Sequence, residues 1–249
     1  METPIPTGLI TALRTARHVT ILTGAGVSAE SGIPTFRDAL QGLWAHFSPE
    51  ELATPEAFQR HPRLIWEWYA ARRNDVQAAL PNPGHLALVA LARYVPRLSL
   101  ITQNVDGLHT RAGSSDVIEL HGTIMRVRCS ADGTTYTQWD EQAGLPPPCP
   151  DCGAPLRPDV VWFGELLPEG ALIRAREAAM QCDLFLSIGT SGQVEPAASL
   201  PRLAYNRGAV LAVINLDVDD RVQGHYYAIH ARSGEFLPRL LAATWPESA

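Results

Sequence analysis

The apolar run His18 to Thr23 ends directly in Gly24-Ala25-Gly26-Val27-Ser28-Ala29, and few folds accommodate that junction. A buried strand that enters such a turn and then a helix start gathers backbone N–H groups and the positive end of a helix dipole, which suits a pyrophosphate. Gly24 and Gly26 permit a tight turn and close backbone approach, and Ala29 is small enough for a helix to pack on the strand. Taken alone, the G-x-G-x-x-A pattern equally serves as a tight corner. A dehydrogenase of this kind should carry a second strand about 20 residues on, ending in an acidic residue for the ribose. That distance falls in Leu43-Trp44-Ala45-His46, which does not read as a strand end. The loop continues instead through Ser31 to Asp38, with Ile33, Phe36 and Arg37, so the nucleotide reading holds and hydride transfer loses support.

With 249 residues, 46% hydrophobic and 18% charged, the chain can bury a real core as one large domain or one with an insertion. A net charge of -6 argues against nucleic acid as the main partner, because phosphate backbones need a basic face. No apolar run approaches a membrane span, and Met1 to Gly8 lacks a signal peptide's basic start, so a cytoplasmic protein with no membrane partner is expected. Four cysteines do not make a disulfide scaffold in a chain this long, and Cys149-x-x-Cys152 points to metal or redox chemistry. All 20 basic residues are arginine.

The order of elements predicts an α/β protein. A helix capped by Thr7 runs to Arg17 ahead of the first strand, and a helical region from about Pro49 to Leu80 has Pro55 and Pro62 as helix starts. Pro83-Gly84-His85 opens another helix, followed by strands at Leu98 to Thr102 and Val117 to Leu120. From Thr123 to Pro158 short ribbons and loops carry too few apolar residues for a core, so this stretch needs a staple. Alternation then resumes with helix Gly170 to Gln181, strand Asp183 to Gly189, helix Pro196 to Asn206, strand Val210 to Asn215 and a last helix from about Gly234. Such alternation implies a doubly wound parallel sheet.

In such sheets the ligand crevice lies beyond the carboxyl ends of the strands. Gln103-Asn104-Val105-Asp106 follows the second strand, where Asn104 and Asp106 either face a nucleotide or cap the next helix. His121-Gly122 follows the third, a setting suited to a general base near neutral pH. His18, His61, His85 and His225 have no comparable setting. Gly189-Thr190-Ser191 and Asn215-Leu216-Asp217 add small and polar groups at two later strand ends. Ser28 and Ser191 lack a locally spaced His-Asp pair, which argues against a serine hydrolase.

These motifs resemble the sirtuin family of NAD-dependent protein lysine deacylases. The likeness runs in the family's order through Gly24 to Arg37, Thr102 to His109 with Arg111-Ala112-Gly113, His121-Gly122, Val160-Val161-Trp162-Phe163-Gly164-Glu165, Gly189-Thr190-Ser191 and the Asn215 segment. It implies a discontinuous Rossmann-type large domain (1–38, 81–123 and 159–249), a helical insertion (39–80) and a small zinc-ribbon-like module (124–158). It also implies NAD consumed as a co-substrate. Gly24, Ala25, Gly26 and Ser191 would hold the phosphates, Asn215 the adenosine ribose and Ser233 the adenine side. Ile33, Asn104 and Asp106 would line the nicotinamide pocket, with Asn104 and Asp106 also catalytic and Phe36 and Arg37 in a cover over that end. Gln103, Gly189, Thr190, Leu216 and Asp217 would also contact the cofactor. His121 would deprotonate a ribose hydroxyl once the acyl oxygen has attacked. Val160, Trp162 and Phe163 would pair with the acylated peptide as an added strand. Nicotinamide, free lysine and O-acyl-ADP-ribose would leave. With no lysine in the chain, such an enzyme could not take its own side chains as substrate.

On the helix after Pro62, Ile65, Tyr69, Arg72 and Val76 share a face, flanked by Trp68 and Leu80. An arginine inside an apolar stripe calls for a paired charge, or for a head group that reaches water. Tyr69-Ala70-Ala71-Arg72 is similar to the Tyr-x-x-Arg pair of the sirtuin branch acting on succinyl-, malonyl- and glutaryl-lysine, where both residues bind the acyl carboxylate.

The family commonly presents two Cys-x-x-Cys pairs to zinc. Here Cys149 and Cys152 supply one pair and Cys129 half of the other, with Asp132 where the fourth thiol would stand. Three thiolates and a carboxylate can bind Zn2+, and Asp132-Gly133 equally reads as a turn. Cys182 reads as a packed thiol, and Ala231-Arg232-Ser233-Gly234 departs from the family pattern. Two other classes fit parts of the pattern: an NAD-dependent mono-ADP-ribosyltransferase and a non-catalytic NAD or ADP-ribose sensor. The oligomeric state is left open.

Overall fold

The computed structural model describes residues 3–34 and 52–246. Its strands are β1 (His18–Thr23), β2 (Arg97–Thr102), β3 (Ile118–Glu119), β4 (Gly122–Cys129), β5 (Thr135–Tyr136), β6 (Leu156–Val160), β7 (Leu184–Ile188), β8 (Val210–Asn215), β9 (Arg221–Gln223) and β10 (Tyr226–His230). Its helices are α1 (Thr7–Thr15), α2 (Ala25–Ala29), α3 (Pro55–Arg60), α4 (Pro62–Ala78), α5 (Pro83–Leu91), α6 (Leu108–Ala112), α7 (Glu169–Gln181), α8 (Leu200–Asn206) and α9 (Ser233–Thr244).

The large sheet has the order β3-β2-β1-β7-β8-β10-β9, parallel throughout except for the antiparallel edge strand β9. Numbered among themselves in chain order, the parallel strands read 3-2-1-4-5-6, the doubly wound Rossmann arrangement, and the winding reverses between β1 and β7. Both strands are buried along their whole length, as strands covered by helices on both faces must be. Leu9 and Leu13 of α1, Leu88 of α5 and Phe236 and Leu240 of α9 build one core on the sheet, and Ala175 and Ala179 of α7 with Leu200 of α8 build another.

A second sheet, β5-β4-β6, is antiparallel and runs from Gly122 to Val160. Its small core, Val127, Cys129, Cys149 and Leu156, is completed by Trp66 from α4, so that helix and the ribbon share their packing. Arg73 of the same helix is buried with its guanidinium over the rings of Trp66 (5.4 Å) and Trp139 (4.7 Å), and its Nε donates to Ile124 O at 2.8 Å. Among the described residues no helix is long and apolar enough to cross a membrane.

Several elements differ from the sequence expectation for local reasons. Thr7 is the first helical residue and Pro6 sits at the cap, because Thr7's backbone already follows the helix. Leu80 lies beyond the end of α4 and is 73% exposed instead of flanking the apolar stripe. Pro196 to Asn206 splits into a 3-10 turn at Ala197–Ser199 and then α8. The run Tyr226-Tyr227-Ala228-Ile229, rich in strand-forming residues after Gly224, supplies a parallel strand that the sequence reading passed over. His85 was given no special setting, yet it closes a capping box: Asn82 accepts from the Gly84 and His85 N–H groups, and the Asn82 N–H is given to His85 Nδ1.

Burial leaves three histidines, His18, His85 and His109, easier to keep neutral than in water, with His109 pushed down to about 3 mainly by desolvation. A folded pKa below the unfolded value of 6.5 means stability is present above pH 6.5 and is lost as pH falls toward the folded value. Each such histidine contributes a slope of at most about 1.4 kcal/mol per pH unit. Urea unfolding should therefore show stability falling from pH 7.5 to 5.5, with a shallower fall in His109→Gln. Equal slopes in the two proteins would contradict this account.

Candidate functional site

The glycine turn at the end of β1 meets the end of β7 backbone to backbone. A Cβ on Gly24 would stand 2.7 Å from Gly189 O, and one on Gly26 would stand 2.8 Å from Gly189 Cα. Gly24 has an extended φ of -127°, so what requires glycine there is contact with the opposite loop and not a left-handed backbone. Gly189 does adopt a positive φ of 59°. The N–H groups of Gly24 and Gly26 are given to Ile188 O and Gly189 O, so the turn offers fewer free donors than its sequence promises.

Around this contact the other strand ends converge. Gln103 Nε2 donates to Thr190 Oγ1 at 2.8 Å, and Asn215 Nδ2 to Thr190 O at 2.9 Å. Leu216 and Asp217 are exposed beyond Asn215, and Ser191 is exposed beyond Thr190. Asn104 Nδ2 donates to Gly24 O (3.0 Å) and Ser28 Oγ (3.1 Å). Ser28 Oγ in turn donates to Asp106 Oδ2 at 2.7 Å, while Asp106 Oδ1 accepts the Leu108 N–H at 2.8 Å. Asp106 thus both starts α6 and holds a buried polar network, and Asn104 does not cap a helix. The sequence had weighed Ser28 only as a nucleophile; its place in this network needed the fold.

His121 Nδ1 lies 3.0 Å from Gln103 O, and a carbonyl can only accept, so Nδ1 carries the proton and Nε2 keeps its lone pair. Burial lowers the His121 pKa, partly offset by that hydrogen bond, and the ring is neutral at pH 7. Ile33 is buried in the core formed by α3, α4 and Trp162. Phe36 and Arg37 lie outside the described residues. Ser233 is buried and donates to Glu30 Oε1, as does the Gly234 N–H, so that carboxylate sits at the N-terminus of α9.

Beyond His121, the segment after β6 crosses α4. Trp162 Nε1 donates to Tyr69 Oη at 2.9 Å, and Tyr69 is pushed up to about 12, mainly by burial, so it remains a protonated phenol. The Arg72 guanidinium stands 5.2 Å from the Trp68 ring centre, close enough to Tyr69 for its charge to oppose that rise. Val161 N–H is given to His121 O, Trp162 N–H to Glu165 Oε2 and Phe163 N–H to Ala53 O. Arg157 and Arg128 both bind the Glu165 carboxylate. The sequence signal for this clamp was a pair of arginines in otherwise buried strands.

The sulfurs of Cys129, Cys149 and Cys152 lie within 4.8 Å of one another, with Cys129 and Cys152 3.5 Å apart. Tetrahedral zinc at about 2.3 Å from each thiolate sets sulfurs about 3.8 Å apart, so the cluster fits that ion. The close sulfur group holds the three cysteines alone; Asp132 Oδ1 accepts the Thr134 N–H at 2.9 Å, as a turn residue does, while its carboxylate also faces Cys129. Tyr136 Oη is 3.2 Å from Cys149 Sγ and donates to Asp151 at 2.7 Å. Cys182 is a packed thiol, as expected, and burial pushes it up to about 11.

A doubly wound sheet with polar groups from four strand ends drawn to its switch point, and a cysteine-bearing ribbon inserted beside it, defines a narrow class of α/β protein. Within that class the chain belongs to the Sir2 family, whose sequence model matches residues 24–196. It is 51% identical over 244 residues to an NAD-dependent protein deacylase of Methylococcus capsulatus, covering 94% of this chain and 95% of that one. Among solved structures it resembles a Sir2 homolog–NAD complex, with TM-score 0.87, 40% identity, and 99% and 96% of the two chains covered. It also resembles Sir2 bound to acetylated peptide, with TM-score 0.83, 31% identity and coverages of 95% and 97%.

The purified protein should carry one zinc per chain by metal analysis. Replacing Cys149 with Ser should remove the metal and lower the melting temperature; a metal-free wild type with the same melting temperature would contradict a structural role.

Proposed function

We propose that this chain is an NAD-dependent protein lysine deacylase that removes succinyl, malonyl and glutaryl groups as well as acetyl. The deacylase reading is supported by the family, by relatives named NAD-dependent protein deacylases, and by the solved complexes of Sir2 proteins with NAD and with acetylated peptide. One observation carries the acyl preference: a fully buried, protonated Tyr69 on the same helical face as Arg72, one turn away. A carboxylate placed there would gain a charge-assisted hydrogen bond and an ion pair. An uncharged acyl group would gain neither interaction.

The crevice fits NAD, because polar groups of four strand ends already converge on the Gly24–Gly189 contact. When bound, NAD supplies a ribosyl carbon activated by nicotinamide as leaving group, and with one water consumed the lysine amine would be freed and the acyl group would leave as O-acyl-ADP-ribose. Ala25 N–H and the Gly189 to Ser191 loop would hold phosphate, and Asn215, Leu216 and Asp217 the distal ribose. Ser233 would act on the adenine side through the packing it shares with Glu30. Ile33, Phe36, Arg37, Gln103, Asn104 and Asp106 would enclose the nicotinamide end. His121 would accept a hydroxyl proton at Nε2, and as a neutral base it adds no positive charge before the proton moves. Along Val160 to Phe163 the chain's own N–H groups are already engaged, so an added peptide strand would give its N–H groups to carbonyls here. The thiolates of Cys129, Cys149 and Cys152 would hold zinc as a staple for the ribbon. The division into a discontinuous large domain, a helical insertion and a ribbon module belongs to the same reading, as does action in the cytoplasm, where thiolates stay reduced.

Loss of His121 should slow turnover by about 100-fold to 10,000-fold, the range for a general base. His121→Ala should still bind NAD by calorimetry, and wild-type kcat/KM should fall on the acid side through a pKa below 6.5, since protonation removes the base. A profile flat from pH 8 to 5 would refute the assignment. Incubation with NAD and succinyl-lysine or acetyl-lysine peptide, followed by mass analysis of peptide and nucleotide products, tests the whole reading. Arg72→Met should lose desuccinylation far more than deacetylation, and equal losses would sink the acyl preference.

A further inference from the structure

The side chain of Trp162 has a single hydrogen-bonding atom, and it can only donate. It gives that N–H to Tyr69 Oη, with both side chains buried. A phenol oxygen that accepts still has its own proton to give. Among the described residues the bond from Trp162 is the one made at Tyr69 Oη, so the Tyr69 proton is directed elsewhere.

The indole is held firmly in this role. Its backbone N–H is bound by Glu165 Oε2 at 2.8 Å, and the Arg157 guanidinium lies 3.3 Å from the ring centre. Arg157 is itself locked by two bonds to Glu165, of 2.6 and 2.9 Å, and by one to Val160 O. Phe58 packs against the indole at 5.4 Å between centroids. Rotating the indole away would break this arrangement.

We propose that Trp162 is a positioning residue for acyl-group selection: by occupying the accepting side of the Tyr69 hydroxyl, it makes Tyr69 a fixed donor toward an acyl carboxylate. This rests on the acidic-acyl reading above. Without the indole N–H, the phenol can turn and accept from other donors, so part of its preorganisation is lost. Acetyl-lysine has no carboxylate to receive the proton and should be the less affected of the two.

The test is steady-state kinetics on succinyl- and acetyl-lysine peptides at saturating NAD. Trp162→Phe should raise KM for the succinyl peptide about tenfold, as expected when one charge-assisted hydrogen bond is weakened, with kcat less affected. The acetyl peptide shares the strand pairing along Val160 to Phe163 and should lose less, so that the succinyl-to-acetyl ratio of kcat/KM falls about tenfold, with the melting temperature reporting an intact fold. Tyr69→Phe should cost much less in the Trp162→Phe background than in wild type. Should Trp162→Phe fail to fold, replacement of Trp162 by its benzothiophene analogue keeps the ring shape and deletes only the N–H, and it should give the same selective rise. Equal changes for both peptides, or full additivity with Tyr69→Phe, would overturn the role of Trp162. A wild type with no preference for succinyl over acetyl would instead overturn the acidic-acyl reading itself.

Discussion

The two halves of the large sheet meet where Gly24 and Gly26 touch Gly189, main chain against main chain. No side chain fits between them: a single Cβ on any of the three would sit under 3.0 Å from backbone atoms of the facing loop. Because the contact spends the N–H groups of Gly24 and Gly26 on Ile188 O and Gly189 O, it ties the end of β1 to the end of β7. Everything else in the crevice takes its position from that joint. Thr190, held just past it, receives bonds from Gln103 and Asn215, and Gly24 O receives one from Asn104. A doubly wound sheet opens a crevice where its winding reverses, and here the walls of that crevice are set by how closely glycine backbones can approach.

The second dependency is the handling of buried charge around α4. Arg73 lies between two indoles, and Arg157 lies over a third. A guanidinium can stack on an aromatic face while its donors reach backbone carbonyls, which an ammonium cannot do as well. Arg73 thereby joins α4 to the ribbon through Ile124 O, and Arg157 with Arg128 holds Glu165 against the Trp162 backbone. Burial costs such cations hydration, and each is offset by paired oxygen atoms and by ring contact. The ribbon, whose own core is a handful of residues, is thereby anchored to the rest of the molecule independently of its cysteines.

Much of the architecture was legible in one dimension. Apolar runs bounded by turn residues marked β1, β2, β7 and β8 to within a residue or so, and prolines at Pro55, Pro62 and Pro83 marked helix starts, because proline has no N–H to lose there. β10, though rich in strand formers, is less legible because it is five residues long and follows the short exposed β9 instead of a helix, so the strand–helix alternation does not announce it. Among the candidate site residues, the sequence proposes His121, Asn104 and Asp106 from their place after strands, and Tyr69 and Arg72 from a shared helical face together with the family resemblance.

What the sequence could not hold was direction. Whether a backbone N–H faces solvent or a facing carbonyl, as at Gly24 and along Val161 to Phe163, depends on which loop folds opposite it. Whether Asp132 joins the cysteines or closes a turn depends on where its carboxylate points. Ser28, Trp162 and Glu165 gained their partners only when residues distant in the chain were brought together. Residue type and spacing are local and determined the class of fold and the set of reactive groups. Donor and acceptor pairing is a long-range property, so only the tertiary structure decided which of those groups are engaged and which remain available.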